Sequence, residues 1–160
     1  MSNWTLNGKA FNNQPTYGNN PSARDKQYNY QSNHKGDWWI GTFENRSNPS
    51  EPPGGIQGDG PQGSLTSPSF QITGKLLTFL IGAGCNNPDI RAELIVDGQV
   101  VRKETPVACK EVMREKSWNV TDYAGKNAQL RLVDHFSVHF GHINFDHLQA
   151  CHKLISDTDS

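Results

Sequence analysis

The stretch IRAELIVDGQVVRKE, residues 90–104, decides the fold because it contains the clearest turn signal in the chain. Apolar and polar residues alternate on both sides of Asp97-Gly98, and an Asp-Gly pair between two such runs is typical of a two-residue hairpin turn. We therefore predict two antiparallel strands, Ile90 to Val96 and Gln99 to Glu104, joined at Asp97-Gly98.

Other short segments have a β-type pattern and are separated by residues rich in Gly and Pro. They are DWWIGTF (37–43), GSLTSPSFQIT (63–73), KLLTFLIG (75–82), EVMREKSWNV (111–120), NAQLRLVDHF (127–136) and HINFDHLQAC (142–151). No long stretch has the 3.6-residue period of an amphipathic helix. Many short strands between turns indicate an all-β protein, an antiparallel β-sandwich of about eight strands.

The chain has 160 residues, a length typical of one domain that can bury roughly 70% of its unfolded surface. We predict a single β-sandwich domain over residues 1–152 and a flexible tail over residues 153–160. The net charge of −1 argues against nucleic acid as a partner, because phosphate backbones bind strongly basic surfaces. No apolar run approaches the ~20 residues of a membrane span, so we expect no membrane insertion by this fragment.

The cysteines bear on stability and on cellular compartment. Cys85 and Cys109 flank the predicted hairpin, whose ends must lie close together. A disulfide between them would contribute ~3–4 kcal/mol in the chain-entropy model. The alternative is two buried free thiols, which are common in cytosolic proteins; the hairpin favours the bridge. Cys151 is then either free or paired outside this chain.

The compartment has two interpretations. The chain begins without the pattern of a signal peptide. This is expected of a cytosolic protein, and also of a domain cut from a longer secreted chain. The predicted disulfide favours the second, and so do three N-x-Ser/Thr sequons at Asn3, Asn45 and Asn119. We therefore expect an extracellular or cell-surface location, a longer parent chain, and glycosylation at these three asparagines.

Two long loops, residues 11–36 and 44–62, are the places where this scaffold would carry recognition. Trp38 and Trp39 follow the first loop and, being adjacent in a strand, face opposite sides. We expect Trp39 to pack inward and Trp38 to be free for exposure.

Trp38 and the nearby residues of the first loop form a candidate ligand site. Tyr28, Tyr30 and Trp38 could stack on sugar rings, while Asn29 and Gln31 supply hydrogen-bonding amides. The same aromatics could anchor a protein partner, because Trp and Tyr also dominate protein interfaces. Alternatively, Trp38 only covers the sheet under the loop.

The stretch DHFSVHFGHINFDH, residues 134–147, contains four histidines and two aspartates. The histidine spacing would suit zinc on a helix, but Gly141 and the β-type pattern that follows argue against a helix. In a strand, Ile143 and Phe145 face the core while His142, Asn144 and Asp146 face the other side. We interpret these three as structural polar residues held by hydrogen bonds, and we expect His142 and Asp146 to bond backbone groups. Neither G-x-S-x-G nor H-E-x-x-H occurs, and we predict that the chain is not an enzyme.

A series of phrases gives the chain a family resemblance. They are WTLNGKAFNNQP, DWWIGTFEN, GDGPQGSLTSPSFQI, LLTFLIGAG, AELIVDGQVVRKET, SWNVTDYAGKNAQLRLVD and GHINFDHL. The series, over residues 4–149, resembles a jelly-roll, galactose-binding-like module found beside levanase-type secreted glycoside hydrolases. The resemblance implies a jelly-roll β-sandwich and a non-catalytic accessory or binding module. Cys85 and Cys109 depart from the bacterial pattern.

The resemblance has two further implications. Jelly rolls of the carbohydrate-binding kind often hold a structural calcium, and Asp146 occupies the matching last-strand position for such an ion. The function implied is a non-catalytic extracellular binding module with a glycan as ligand. The alternative is a protein-recognition or adhesion ectodomain fragment whose partner is an extracellular protein, and the disulfide, the sequons and the unusual loops favour that alternative.

Overall fold

The computed structural model describes residues 1–150 and the backbone of residues 153–154. Its strands are β1 (Thr5–Gly8), β2 (Thr16–Tyr17), β3 (Trp38–Gly41), β4 (Gly63–Thr66), β5 (Phe70–Gln71), β6 (Leu76–Ala83), β7 (Ile90–Val96), β8 (Gln99–Glu104), β9 (Arg114–Asn119), β10 (Asn127–Asp134), β11 (Ile143–Ala150) and β12 (Lys153–Leu154). The helical segments are α1 (Asn20–Arg24) and a 3₁₀ turn (Thr121–Tyr123). In this part of the chain no helix has the length and apolarity needed to cross a bilayer.

The strands form two antiparallel sheets. One has the order β1-β4-β10-β7-β8, with β5 also paired to β10; the other has the order β2-β3-β11-β6-β9, with β12 paired to β11. The predicted all-β jelly-roll sandwich is confirmed. Twelve strands occur in the described part of the chain instead of about eight, and three of the twelve are only two residues long. Such short pieces leave no alternating pattern in the sequence.

The predicted hairpin is present as β7 and β8. Asp97 and Gly98 have φ angles of 52° and 75°, the left-handed conformations that a two-residue turn requires. Cys85 and Cys109, on either side of the hairpin, form a disulfide with a Cα–Cα distance of 4.3 Å. The predicted bridge is therefore confirmed. Cys151 lies outside the described residues.

The main core fills the space between the two sheets. Alternation along β11 places Ile143 and Phe145 in this core, as predicted, and Phe145 stacks on Phe79 of β6 with ring centroids 5.3 Å apart. The opposite face carries Asn144 and Asp146 of β11 and His142, which immediately precedes the strand, and all three are buried. Loops therefore cover the outer face of this sheet as well.

Trp39 is buried, as expected, but on the outer face of this sheet and not in the main core. The side chain is fully buried, but it packs in a second cluster with Leu80 and Met113, while its neighbour Ile40 enters the main core. The Trp39 indole donates a hydrogen bond from Nε1 to the Gly18 carbonyl oxygen at 2.7 Å. Trp39 thus lies under the 11–36 loop, on the side of the sheet where the polar residues of β11 also lie.

Of the predicted tail, the structure describes only residues 153–154. Lys153 and Leu154 pair with the end of β11, so this part of the predicted tail extends the sheet. The rest of the predicted tail, residues 155–160, lies outside the described residues.

Candidate ligand-binding site

Loops that cover the outer face of the second sheet enclose a pocket of about 310 Å³. Its lining combines aromatic rings with ionisable groups: Arg24, Tyr30, Phe43, Asp59, Glu111, His139, Phe140 and His142. These residues come from five separate parts of the chain, so the pocket exists only after the sandwich has closed. Its size falls at the lower end of the range for small-molecule sites.

His142 lies immediately before β11 and is held between two carboxylates. Its Nδ1 is 2.6 Å from Asp59 Oδ1, and its Nε2 is 3.3 Å from Glu111 Oε1. The imidazole is 3% exposed, so both contacts lie in a medium of low dielectric, where charge-assisted hydrogen bonds are strong. The expectation that His142 bonds backbone groups is wrong; its partners are side chains from two distant loops.

Arg24, the last residue of α1, joins two buried glutamates. Its Nη1 lies 2.5 Å from Glu44 Oε1, and its Nη2 lies 3.1 Å from Glu111 Oε1. The Arg24 guanidinium also lies over the Phe43 ring, 4.8 Å from the centroid. The cation is therefore fixed on three sides, which orients it at the edge of the pocket.

Two buried amides complete this network. Asn20 donates from Nδ2 to Glu44 Oε2 at 2.6 Å and accepts from the Gly54 N–H at 2.6 Å. Asn144 donates from Nδ2 to Glu111 Oε2 at 3.0 Å. Both glutamates are thus positioned by an amide as well as by a cation. Asn20 also ties α1 to the 42–62 loop, which is the whole connection between β3 and β4.

Aromatic rings form the walls around the imidazole. The centroid of the Phe43 ring lies 5.0 Å from that of His142, and the Phe140 ring stacks on His142 at 5.5 Å. Phe140 also has His139 edge-on at 4.7 Å. Rings on two sides of a cation give it favourable cation–π contacts and leave apolar surface along the pocket.

The pKa values follow from this arrangement. Burial lowers the pKa of His142, but hydrogen bonds to Asp59 and Glu111 outweigh burial and raise it to about 9. For Glu111, burial raises the pKa, and the hydrogen bond from His142 with other partners lowers it below its ordinary value. Burial raises the pKa of Glu44 to about 7 against the opposing effect of Arg24. At neutral pH His142 is therefore an imidazolium that donates both N–H groups to carboxylates.

The ligand groups that the pocket can bind depend on which of its own polar groups already have partners. The two nitrogens of His142 and the outer nitrogens of Arg24 are directed at carboxylates. Asp59 is 20% exposed, and its second oxygen, Oδ2, has no hydrogen-bond partner within the described residues. The site thus presents a fixed carboxylate acceptor beside apolar rings, an arrangement suited to hydroxyl donors carried on a C–H-rich face.

Only part of the ligand site predicted around the first long loop lies at this pocket. Tyr30 lies on the pocket lining, and Tyr28 stacks on Tyr30 with centroids 5.8 Å apart. Asn29 and Gln31 are exposed and bonded to each other, since Gln31 Nε2 donates to Asn29 Oδ1 at 2.7 Å.

Trp38 lies apart from this group. It is half-buried and has the Tyr17 ring edge-on at 5.1 Å. It is not among the residues that line the pocket. The structure therefore separates the predicted platform into a Tyr28–Tyr30 pair beside the pocket and a Trp38–Tyr17 pair elsewhere.

Asp146 was the residue to which the resemblance assigned calcium. Its Oδ2 accepts a hydrogen bond from the Lys35 N–H and its Oδ1 accepts one from the His147 N–H, both at 2.8 Å. Within residues 1–150, no group of three or more His, Cys, Asp or Glu side chains is arranged to hold a metal ion. Calcium binding at Asp146 stays a prediction.

The sequon asparagines Asn3, Asn45 and Asn119 are all exposed, so their side chains are accessible. Asn119 Oδ1 accepts hydrogen bonds from the Thr121 N–H at 3.0 Å and hydroxyl at 2.7 Å. Glycosylation at these positions stays a prediction.

Most of the pocket has no clear signal in the sequence. The histidine-rich stretch draws attention to His142, but nothing in the sequence connects His142 with Asp59 or Glu111, which are 83 and 31 positions away. Asp59 belongs to the phrase GDGPQG, which carried the resemblance and was a possible signal. Glu111 has no such signal, because a lone glutamate before a strand is an ordinary surface pattern.

Comparisons with known proteins support the fold. No protein-family model matches the chain. A protein of Aspergillus rugulosus named "Putative glycosyl hydrolase ecdE" is 33% identical over 93 residues. That match covers 58% of this chain and 13% of the other protein, so the chain spans a small part of its relative's length.

Solved structures of similar fold are more distant in sequence. The K1 cleaved adhesin domain of Lys-gingipain from Porphyromonas gingivalis W83 has a TM-score of 0.50 at 13% identity, covering 94% of this chain and 92% of that chain. The carbohydrate-binding module TmCBM61, solved with β-1,4-galactotriose, has a TM-score of 0.46 at 11% identity, covering 90% and 83%. The likeness to the adhesin domain shows a shared fold and does not extend to ligands, and association with levanase-type hydrolases stays a prediction.

Proposed function

We propose that this chain is a non-catalytic, extracellular glycan-binding module and that its ligand enters the pocket beside His142. The observation that carries the proposal is the pairing of apolar rings with a fixed acceptor: Phe43 and Phe140 flank the imidazole, and Asp59 is oriented by it. Sugars are bound in this way, with C–H faces on aromatic rings and hydroxyl groups on carboxylates.

Two further findings support the proposal. The Cys85–Cys109 disulfide is typical of proteins that fold in oxidising compartments, which supports an extracellular location. The curated relative with 33% identity is named as a glycosyl hydrolase, and a binding module would accompany such an activity. The carboxylates of the pocket are held in ion pairs or against amides, which suits binding more than proton transfer.

The test is a glycan array read with two aromatic variants. Tyr30→Ala removes an exposed ring from the pocket lining, and Trp38→Ala removes the half-buried ring that lies outside it. We expect the wild-type protein to bind at least one glycan class, with binding lost or weakened about tenfold in Tyr30→Ala and retained in Trp38→Ala. Loss in Trp38→Ala alone would move the site to the Trp38–Tyr17 pair.

The second candidate is a protein-recognition or adhesion domain. The observation that favours it is the exposed pair of stacked tyrosines, Tyr28 and Tyr30, since exposed aromatics anchor protein interfaces as well. An array without any glycan signal, together with capture of a defined extracellular protein that Tyr30→Ala abolishes, would replace the glycan proposal with this one.

A further inference from the structure

The cations that line the pocket are already neutralised by carboxylates of the same chain. Arg24 directs Nη1 to Glu44 and Nη2 to Glu111. Both carboxyl groups hold the guanidinium through its planar donor fork, and Glu111, whose pKa is lowered, supplies the compensating negative charge. An acidic ligand would therefore have to compete with Glu111 and Glu44 for Arg24.

The anions are neutralised in the same way. Glu111 pairs with Arg24 and His142 and accepts a hydrogen bond from the Asn144 amide. Asp59 pairs with Nδ1 of His142. A cationic ligand that pairs with Asp59 would have to compete with an imidazolium 2.6 Å away. The lining also includes His139, which is exposed, so that bulk water and salt screen its influence.

A charged ligand would therefore leave water without gaining a free counter-charge. Transfer of an unpaired charge into a partly enclosed site is costly, and breaking an existing buried ion pair to supply a partner costs more. Hydroxyl groups do not meet this obstacle, because the uncommitted Oδ2 of Asp59 can accept from them directly.

We propose that the pocket selects neutral sugar residues and discriminates against sugars that carry a carboxylate or an amine. This inference rests on the proposed glycan-binding function and specifies the ligand class of that site. The self-paired charges of Arg24, Glu111, His142 and Asp59 carry it, together with the apolar walls that Phe43 and Phe140 provide.

The experiment uses matched oligosaccharides and isothermal titration calorimetry at pH 6. Cellotriose and mannotriose are each compared with their C6-oxidised, carboxylated forms. N,N′,N″-triacetylchitotriose is compared with chitotriose, which carries amines. Fructo-oligosaccharides add a further neutral set. We expect a neutral member to bind and its charged counterpart to bind about tenfold more weakly or worse.

The outcomes separate the two proposals. Equal or tighter binding of a carboxylated or amine-bearing form overturns the neutral selectivity and leaves the glycan-binding function standing. Absence of binding by every probe, combined with a silent glycan array, overturns both.

An isosteric variant gives a second readout. Asp59→Asn removes one negative charge from the lining, so the carboxylated form should gain affinity relative to its neutral partner by about tenfold. Asp97→Asn makes the same charge change on the hairpin turn, where the side chain is 73% exposed, and should leave the ratio unchanged. A ratio that Asp59→Asn does not move, in a variant whose thermal unfolding shows it to be folded, would contradict the inference.

Discussion

His142 Nδ1 and Asp59 Oδ1 lie 2.6 Å apart although the two residues are 83 positions apart in the chain. This contact joins the 42–62 loop to the start of β11, and the second contact of the same imidazole joins β11 to Glu111. One side chain thus ties two loops to the sheet beneath them. Its protonation state links pocket geometry to stability.

Replacing His142 should change how stability depends on pH. The folded-state pKa of His142 is raised to about 9 from an ordinary value of 6.5, so its stabilising effect is complete below pH 6.5 and is lost as the pH rises through 9. We expect the difference in unfolding free energy between wild type and His142→Gln to shrink by about 3 kcal/mol at most across that window. Urea unfolding at pH 6, 7.5 and 9 measures it; parallel pH profiles would contradict it.

Removing Arg24 should destabilise the protein strongly, and more so at high pH. Arg24→Met leaves Glu44 buried without its cation, which should cost about 3–5 kcal/mol. Because burial already raises the pKa of Glu44 to about 7, the carboxyl is protonated at pH 5 and the loss should be smaller there than at pH 8.

The matched control for Arg24→Met is Lys126→Met. Lys126 pairs with Asp97 at 3.1 Å on the surface, where an ion pair contributes only about 0–1 kcal/mol. Chemical unfolding of both variants at pH 5 and pH 8 tests the contrast. A loss from Arg24→Met as small as that from Lys126→Met would show that the buried network contributes little to stability.

Two glycines of the GDGPQG phrase should respond differently to alanine. A Cβ on Gly63 would overlap the Asn7 carbonyl oxygen of the neighbouring strand, while a Cβ on Gly60 would meet nothing within 4 Å. We expect Gly63→Ala to lower the free energy of unfolding by about 1–3 kcal/mol and Gly60→Ala to change it by less than about 0.5 kcal/mol. Thermal melts of the pair, compared with wild type, measure this difference; equal effects would be the contrary result.

The disulfide should contribute measurably to stability. The double variant Cys85→Ala with Cys109→Ala opens a loop spanning 24 positions, and we expect a loss of about 3 kcal/mol. Reductant should lower the wild-type unfolding midpoint and leave that of the double variant in place. A wild-type midpoint insensitive to complete reduction would argue against the expected contribution.

The exposed sequons should be used when the protein passes through a eukaryotic secretory pathway. We expect glycan-bearing peptides at Asn3, Asn45 and Asn119, seen by mass spectrometry before and after enzymatic deglycosylation. Asn→Gln substitution at each position should remove one glycan mass. A protein that is secreted with all three asparagines unmodified would refute the prediction.

The fold could be predicted from the sequence because its evidence is local. Alternation on both sides of Asp97-Gly98 predicted β7 and β8, and the β-type segment KLLTFLIG predicted β6. The disulfide followed from the same hairpin, since its two ends flank one turn. Short pieces such as β2 and β5 escaped because two residues contain no period.

The pocket could not be predicted, because its residues meet only when distant loops close over one sheet. The sequence indicated that His142, Asn144 and Asp146 share a face of β11, but nothing local indicated that Asp59 and Glu111 cover that face. The burial that raises the pKa of Glu44 also depends on distant parts of the chain, since Arg24 pairs with Glu44 and Glu111 across 20 and 87 positions. Backbone periodicity is a property of neighbours in the chain, whereas charge pairing in a closed pocket is a property of neighbours in space.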